Sequence, residues 1–199
     1  MFPGEAAIIQ QLFAEGLELF HLRKPEADEQ SMRQLIEAIP AVYHSRIVMH
    51  GFFHLMSAYD IHRWHYREEH RQKMERAGTL LEGHPPKRIF STSVHDLQTL
   101  QQLPSLFAYT FFSPVFDSIS KQQYKGVAGN DFYLNNEQKA VRVIALGGID
   151  EGNVSKVTAM NFDGAAVLGA IWKEPDKAVE NYKKIKHAIT TIRIDHSRF

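Results

Sequence analysis

An α/β protein built on a parallel sheet is the fold class this sequence predicts, and three observations predict it. Short apolar runs alternate with amphipathic segments along the chain. Several of those runs are apolar on both faces, as strands covered by helices on each side must be. Two late runs, ending at Gly147-Gly148 and at Gly169, each close on glycine. Repeated βα units of this kind set parallel strands side by side with helices packed against them.

The elements follow in order. The chain opens on Met1-Phe2-Pro3-Gly4 and enters a helical pattern over Ala6–Glu15. Apolar runs then predict strands at Leu17–Arg23, Arg46–Gly51, Asp60–Trp64, Arg88–Val94, Phe107–Phe116, Arg142–Ile149 and Gly164–Ile171. Helical patterns lie between and after them, at Glu29–Ile39, Tyr66–Leu81, Leu97–Leu103, Glu151–Met160 and Asp176–Ile189. The last carries Ala178, Tyr182, Ile185 and Ile189 as one stripe. An eight-stranded barrel needs one more strand before Phe2. The expectation is therefore a TIM (β/α)8-type barrel whose first strand is missing from this chain, with an open doubly wound sheet as the competitor. No linker or internal repeat breaks the pattern, so residues 1–199 are expected to form a single domain.

Composition narrows the function. Lys plus Arg (23) balances Asp plus Glu (23), so the chain has no basic excess with which to bind nucleic acid or an anionic membrane. There is no cysteine, which excludes disulfides, a thiolate nucleophile and a cysteine zinc site. No apolar run approaches the roughly 18 residues of a membrane span. The first five residues lack the basic and apolar segments of a signal peptide, so the expected location is cytoplasmic.

Five segments carry candidate chemistry. Val143–Ile149 and Gly164–Ile171 bring Gly147, Gly148 and Gly169 to strand ends, where bare backbone N–H groups and a following helix favour a phosphate. The plain alternative is glycine as a strand terminator. Ser113–Lys121 supplies Ser118, Ser120 and Lys121, two hydroxyls and an ammonium suited to an oxyanion, or else an ordinary solvated loop. In Ser91-Thr92-Ser93-Val94-His95, alternation sends Ser93 and His95 to one face, with His95 at the carboxyl end, where a barrel does its chemistry. Histidine is the usual proton carrier near neutral pH. The alternative is that Asp96 caps a helix and His95 is merely adjacent. Finally, His21 and Arg23 share a face, and Arg23 can clamp a carboxylate or phosphate, or simply face water.

In this order and spacing, from about Leu17 to Ile171, the five segments resemble the family of thiamine phosphate synthases and thiazole tautomerases. The resemblance implies a phosphate-binding barrel enzyme of thiamine biosynthesis whose ligand is a small phosphorylated heterocycle, with no nucleic-acid or membrane partner and a possible homodimer. Synthases of the family carry two acids that hold Mg²⁺ against a pyrophosphate. At the matching positions this chain has His50-Gly51 and Arg67. Mg²⁺ needs hard oxygen ligands, so no cofactor is expected, and Mg²⁺ only if synthase activity is retained. His21, where synthases usually have Gln, also resembles the tautomerase (TenI-like) branch. In that branch the resemblance implies His95 as a metal-free general acid/base with Ser93 beside it. It further implies that His21, Arg23, Ser118, Ser120, Lys121, Gly147, Gly148 and Gly169 bind substrate. The alternatives are a diverged synthase joining hydroxymethylpyrimidine pyrophosphate to thiazole phosphate, and a non-catalytic protein that binds thiazole or thiamine phosphate. The remaining histidines, His50, His54, His62 and His65, have no assigned role. On a strand His62 and His65 face opposite ways, against a shared metal, and the expected metal ligands are none.

Overall fold

The computed structural model describes residues 1–80, 82, 87–117, 126 and 132–195, with side chains described as far as residue 189. It divides into two compact units, Met1–Thr92 and Ser93–Phe199.

The first unit opens on helix α1 (Glu5–Ala14), which buries Ile9, Leu12 and Phe13 along one face. Strand β1 (Phe20–Leu22) follows, then α2 (Glu29–Ala38), β2 (Ile47–Met49), β3 (Arg63–Tyr66), α3 (Glu68–Arg76) and the start of β4 (Ile89–Val94). Every pairing is parallel and follows chain order: β1 on β2, β2 on β3, β3 on β4. All three residues of β2 are buried, as a central parallel strand requires. Helix α2 starts where it does because the Asp28 carboxylate accepts the Ser31 N–H at 2.8 Å. It then buries Met32, Leu35 and Ile36 at helical spacing.

The second unit holds the end of β4, then α4 (Leu97–Gln101), β5 (Phe107–Phe112), β6 (Arg142–Leu146), α5 (Val154–Ala159), β7 (Gly164–Ala166), α6 (Gly169–Trp172) and α7 (Ala178–Asp195). Here too β5, β6 and β7 pair in parallel and in chain order. In the predicted α7 stripe, Ala178 and Ile185 are buried. The repeated strand–helix order with parallel pairing is that of a TIM-type barrel, with seven strands among the described residues.

The strands are shorter than the apolar runs suggest. The run over Leu17–Arg23 yields only β1, and the one over Arg142–Ile149 stops at Leu146, where Gly147 and Gly148 turn the backbone to φ 101° and 65°. The predicted strand at Asp60–Trp64 begins at Arg63 instead, because Asp60 sits in the left-handed region and breaks extension. It runs on to Tyr66, so α3 begins at Glu68 rather than at Tyr66. The predicted strand at Gly164–Ile171 is corrected most: β7 ends at Ala166, and Gly169, Ala170 and Ile171 are helical. Apolar residues alone do not separate a buried strand from a buried helical turn.

Candidate functional site

The register places the site. Leu22 pairs with Met49, and Met49 with Trp64. Alternation puts the residues one step away on these strands on the opposite face. Those residues are His21 before Leu22, His50 after Met49, and Arg63 and His65 around Trp64. The β1–β2 ladder continues to His50, whose N–H donates to Leu22 O at 3.2 Å. Three consecutive strands thus present one histidine each to a common face.

The three rings meet. His21 Nδ1 and His50 Nε2 lie 2.9 Å apart in a ring-to-ring hydrogen bond. His50 and His65 stack with centroids 4.2 Å apart. His65 Nδ1 is 2.9 Å from Ser91 Oγ on the neighbouring strand, and both residues are buried. Burial pushes all three imidazoles toward the neutral form. His50 is pulled down to about 3, by burial first and then by the Arg23 and Arg67 guanidiniums. His21 and His65 are also held well below the ordinary histidine value, each by burial and then by the neighbouring ring of His50.

Beside this cluster lies a cavity of about 450 Å³, whose wall includes His50, His65, Arg67, Lys73, Phe53 and a single acid, Glu69. A smaller recess of about 90 Å³ shares His50, Gly51 and Arg67 and adds Arg23 and Lys24. The wall is rich in cations and aromatic surface, which suits a small anionic ring compound. It does not suit Mg²⁺: the positions where the resemblance implies carboxylates hold Gly51 and Arg67, and Asp60 is turned to His62 at 2.7 Å. Those two positions give that ion no carboxylate, which leaves Glu69 as the single acid on the wall.

The expected site residues fall in both units. His21 and Arg23 lie in the first, His21 in the ring cluster and Arg23 on the smaller recess. Ser93 and His95 lie in the second, His95 exposed just beyond the end of β4. The capping alternative for this segment also holds: the Asp96 carboxylate accepts the Thr99 N–H and its hydroxyl, both at 2.7 Å. Ser118, Ser120 and Lys121 lie outside the described residues. Gly147 and Gly148 have a packing reason to be glycine. A Cβ on Gly147 would sit 2.9 Å from Pro114 Cα, and one on Gly148 2.6 Å from Asp117 O. Gly169 is different, because a Cβ there would meet nothing within 4 Å. It begins the short helix α6.

His50 and His65 are the residues that reasoning from the sequence missed. The signal was present as alternation in His21-Leu22-Arg23, Val48-Met49-His50 and Arg63-Trp64-His65. It needed the inter-strand register to become visible. His62 and His65 are indeed apart, His62 held by exposed Asp60 and His65 by Ser91. His54 belongs to neither group and pairs with Glu29 at 2.9 Å. Trp64 stacks on Phe53 and Tyr66, with centroids 3.7 and 5.1 Å away.

Comparison with known proteins bears on the family and the fold. The structure is similar to thiamine phosphate pyrophosphorylase from Bacteroides thetaiotaomicron, with a TM-score of 0.73 and 28% identity over 94% of this chain and 92% of that one. A thiamine-phosphate synthase from Helicobacter pylori is 35% identical over 107 residues, 51% of this chain and 48% of its own. One from Listeria welshimeri is 28% identical over 94 residues, 45% of each. The matched stretch thus spans about half the length of these curated relatives. The family described as Thiamine monophosphate synthase matches residues 4–171. This chain belongs to the thiamine monophosphate synthase family.

Proposed function

We propose that this protein is a thiamine-biosynthesis enzyme that binds a phosphorylated thiazole and isomerises its ring by metal-free proton transfer. One observation carries the reading: Gly51 and Arg67 stand where the resemblance implies the Mg²⁺ acids, and both line the cavity of about 450 Å³. Pyrophosphate departure needs charge neutralisation that this donor set does not provide through Mg²⁺. Moving a proton needs only a held substrate and one group of suitable pKa.

In this reading His95 is the acid/base. It removes a proton from one ring position and returns it at another, so no atom is gained or lost. Ser93 positions the ring beside it. Substrate-binding roles go to His21 and Arg23 in the first unit and to Gly147, Gly148 and Gly169 in the second, with Ser118, Ser120 and Lys121 outside the described residues. The reaction takes place in the cytoplasm. The test is thiazole isomerisation by wild type and His95→Asn, without added Mg²⁺. The expected loss is about 10²- to 10⁴-fold, the usual worth of a general acid/base. Full activity in the variant overturns the role of His95.

The second reading is a diverged synthase, and the names of its relatives favour it. Incubation with hydroxymethylpyrimidine pyrophosphate and thiazole phosphate, with and without Mg²⁺, decides. Thiamine phosphate formed in either case establishes coupling, and none in both removes it.

A further inference from the structure

We propose that His21, His50 and His65 form a binding site for a divalent transition-metal ion of the zinc and cobalt class. One coordination position of that ion opens toward the cavity beside His50 and His65. The inference is independent of the role given to His95, which lies in the other unit.

Geometry carries it. One ring nitrogen from each histidine lies within 4.8 Å of the other two. In a tetrahedral zinc site the metal–nitrogen bonds are about 2.0–2.1 Å, which sets ligand nitrogens roughly 3.3 Å apart. The 2.9 Å separation of His21 Nδ1 and His50 Nε2 is already close to that. The His50–His65 stack, with planes 19° apart, has to open so that both in-plane lone pairs converge, and the ion then replaces the ring-to-ring hydrogen bond. Three histidines with a fourth position left for water or substrate is the ligand count of a catalytic rather than a structural zinc site.

Three further features fit. The ligands stand on or directly after adjacent parallel strands, which fixes their spacing more firmly than loops do. Ser91 Oγ lies 2.9 Å from His65 Nδ1, the kind of outer hydrogen bond that orients a metal-bound imidazole. The rings, His65 buried and His21 and His50 half-buried, are held toward the neutral form that binds metals. Arg23 and Arg67 oppose an unaccompanied cation, so the ion is expected to enter with an anion on its open position. An anionic oxygen of phosphate or carboxylate, held by the two guanidiniums and by the metal, fills that role. Mg²⁺, which prefers oxygen donors, is expected to stay out.

The test is a Co²⁺ titration of the full chain, untagged and freed of metal by dialysis against chelator, followed by visible absorption. The expected result is one equivalent of Co²⁺ with the intense bands of a four- or five-coordinate site. Zn²⁺ displaces it, excess Mg²⁺ does not, and inorganic phosphate tightens binding. His21→Ala, His50→Ala and His65→Ala each lower affinity at least about 100-fold, whereas His62→Ala and His54→Ala leave it unchanged. Melting curves check that each variant is folded. Where an alanine variant is not, His50→Gln and His65→Gln replace it in the titration. Absent bands in wild type overturn the site, as does binding that survives all three ligand substitutions or is lost in His54→Ala or His62→Ala.

Discussion

A methyl group added at residue 148 has no room, because it would fall 2.6 Å from Asp117 O on backbone that already needs φ +65°. Neither the carbonyl nor the left-handed backbone yields cheaply. Gly148→Ala is expected to lose at least about 2 kcal/mol of stability, read as a lower denaturant midpoint. Gly169→Ala meets open space, so its stability is expected to stay within about 0.5 kcal/mol. If phosphate also docks at residue 169, the same methyl weakens binding of inorganic phosphate while the melting curve is unmoved. The pair therefore separates packing from ligand binding. A stable Gly148→Ala protein would show that the contact with Asp117 can relax. At this scale the sequence shows residue types but not their partners. The glycines are visible as strand endings, yet what each touches depends on a segment some thirty residues earlier. For the same reason His21 stands out beside Arg23, whereas His50 and His65 acquire meaning only once β1, β2 and β3 are aligned.

Elements were more legible than residues, and their ends less so than their middles. Helix α2 could be placed because its start and its face are both local: Asp28 caps it, and Met32, Leu35 and Ile36 repeat at helical spacing. Helix α4 is capped in the same way. The Asp96 carboxylate is pulled below its ordinary value of 3.8, chiefly by the backbone N–H of Thr99 and then by its side chain. A carboxylate depressed in the folded state stabilises it above the unfolded value, and that stability is lost as pH falls through the folded value. The contribution is therefore intact at neutral pH and fades only below about pH 4. Asp96→Ala is expected to cost about 1 kcal/mol at pH 7, reduced by solvent screening at this exposed position. The difference between the two proteins should shrink toward pH 3, followed by urea unfolding at each pH. A gap that widens on acidification contradicts the cap. If His95 carries the proton transfer, Asp96→Ala also lowers turnover, because the cap fixes the backbone next to it. The end of β7 and the start of α6 were not legible, because Ala165 through Ile171 is apolar throughout and its turn into a helix is decided by tertiary packing.

On the scale of the whole molecule, the charges cancel while the cavity remains cationic. Formal net charge is zero and the sequence isoelectric point is about 7.2, so no long-range field steers polyanions toward the protein. Arg23 and Arg67 nonetheless line adjoining recesses, and neither has a carboxylate partner among the described residues. Attraction for an anion at these recesses is thus short-ranged. A small phosphate ester can reach them, whereas a rigid duplex meets only the outer surface of a chain whose formal net charge is zero. Duplex DNA is therefore expected to show no retention of the protein at about 0.15 M salt, where polyanion binding rests on many simultaneous phosphate contacts. Phosphate-ester binding should survive that ionic strength and weaken in Arg67→Ala and Arg23→Ala. Calorimetry with inorganic phosphate and a DNA-column elution profile measure the two halves. Retention on DNA above 0.15 M salt would place a basic surface outside the cavity, and undiminished phosphate binding in both arginine variants would move the anion away from His50. The zero net charge was legible from composition alone, but the local excess was not. It arises because parallel register sets Arg23 and Arg67, forty-four residues apart in sequence, around one histidine.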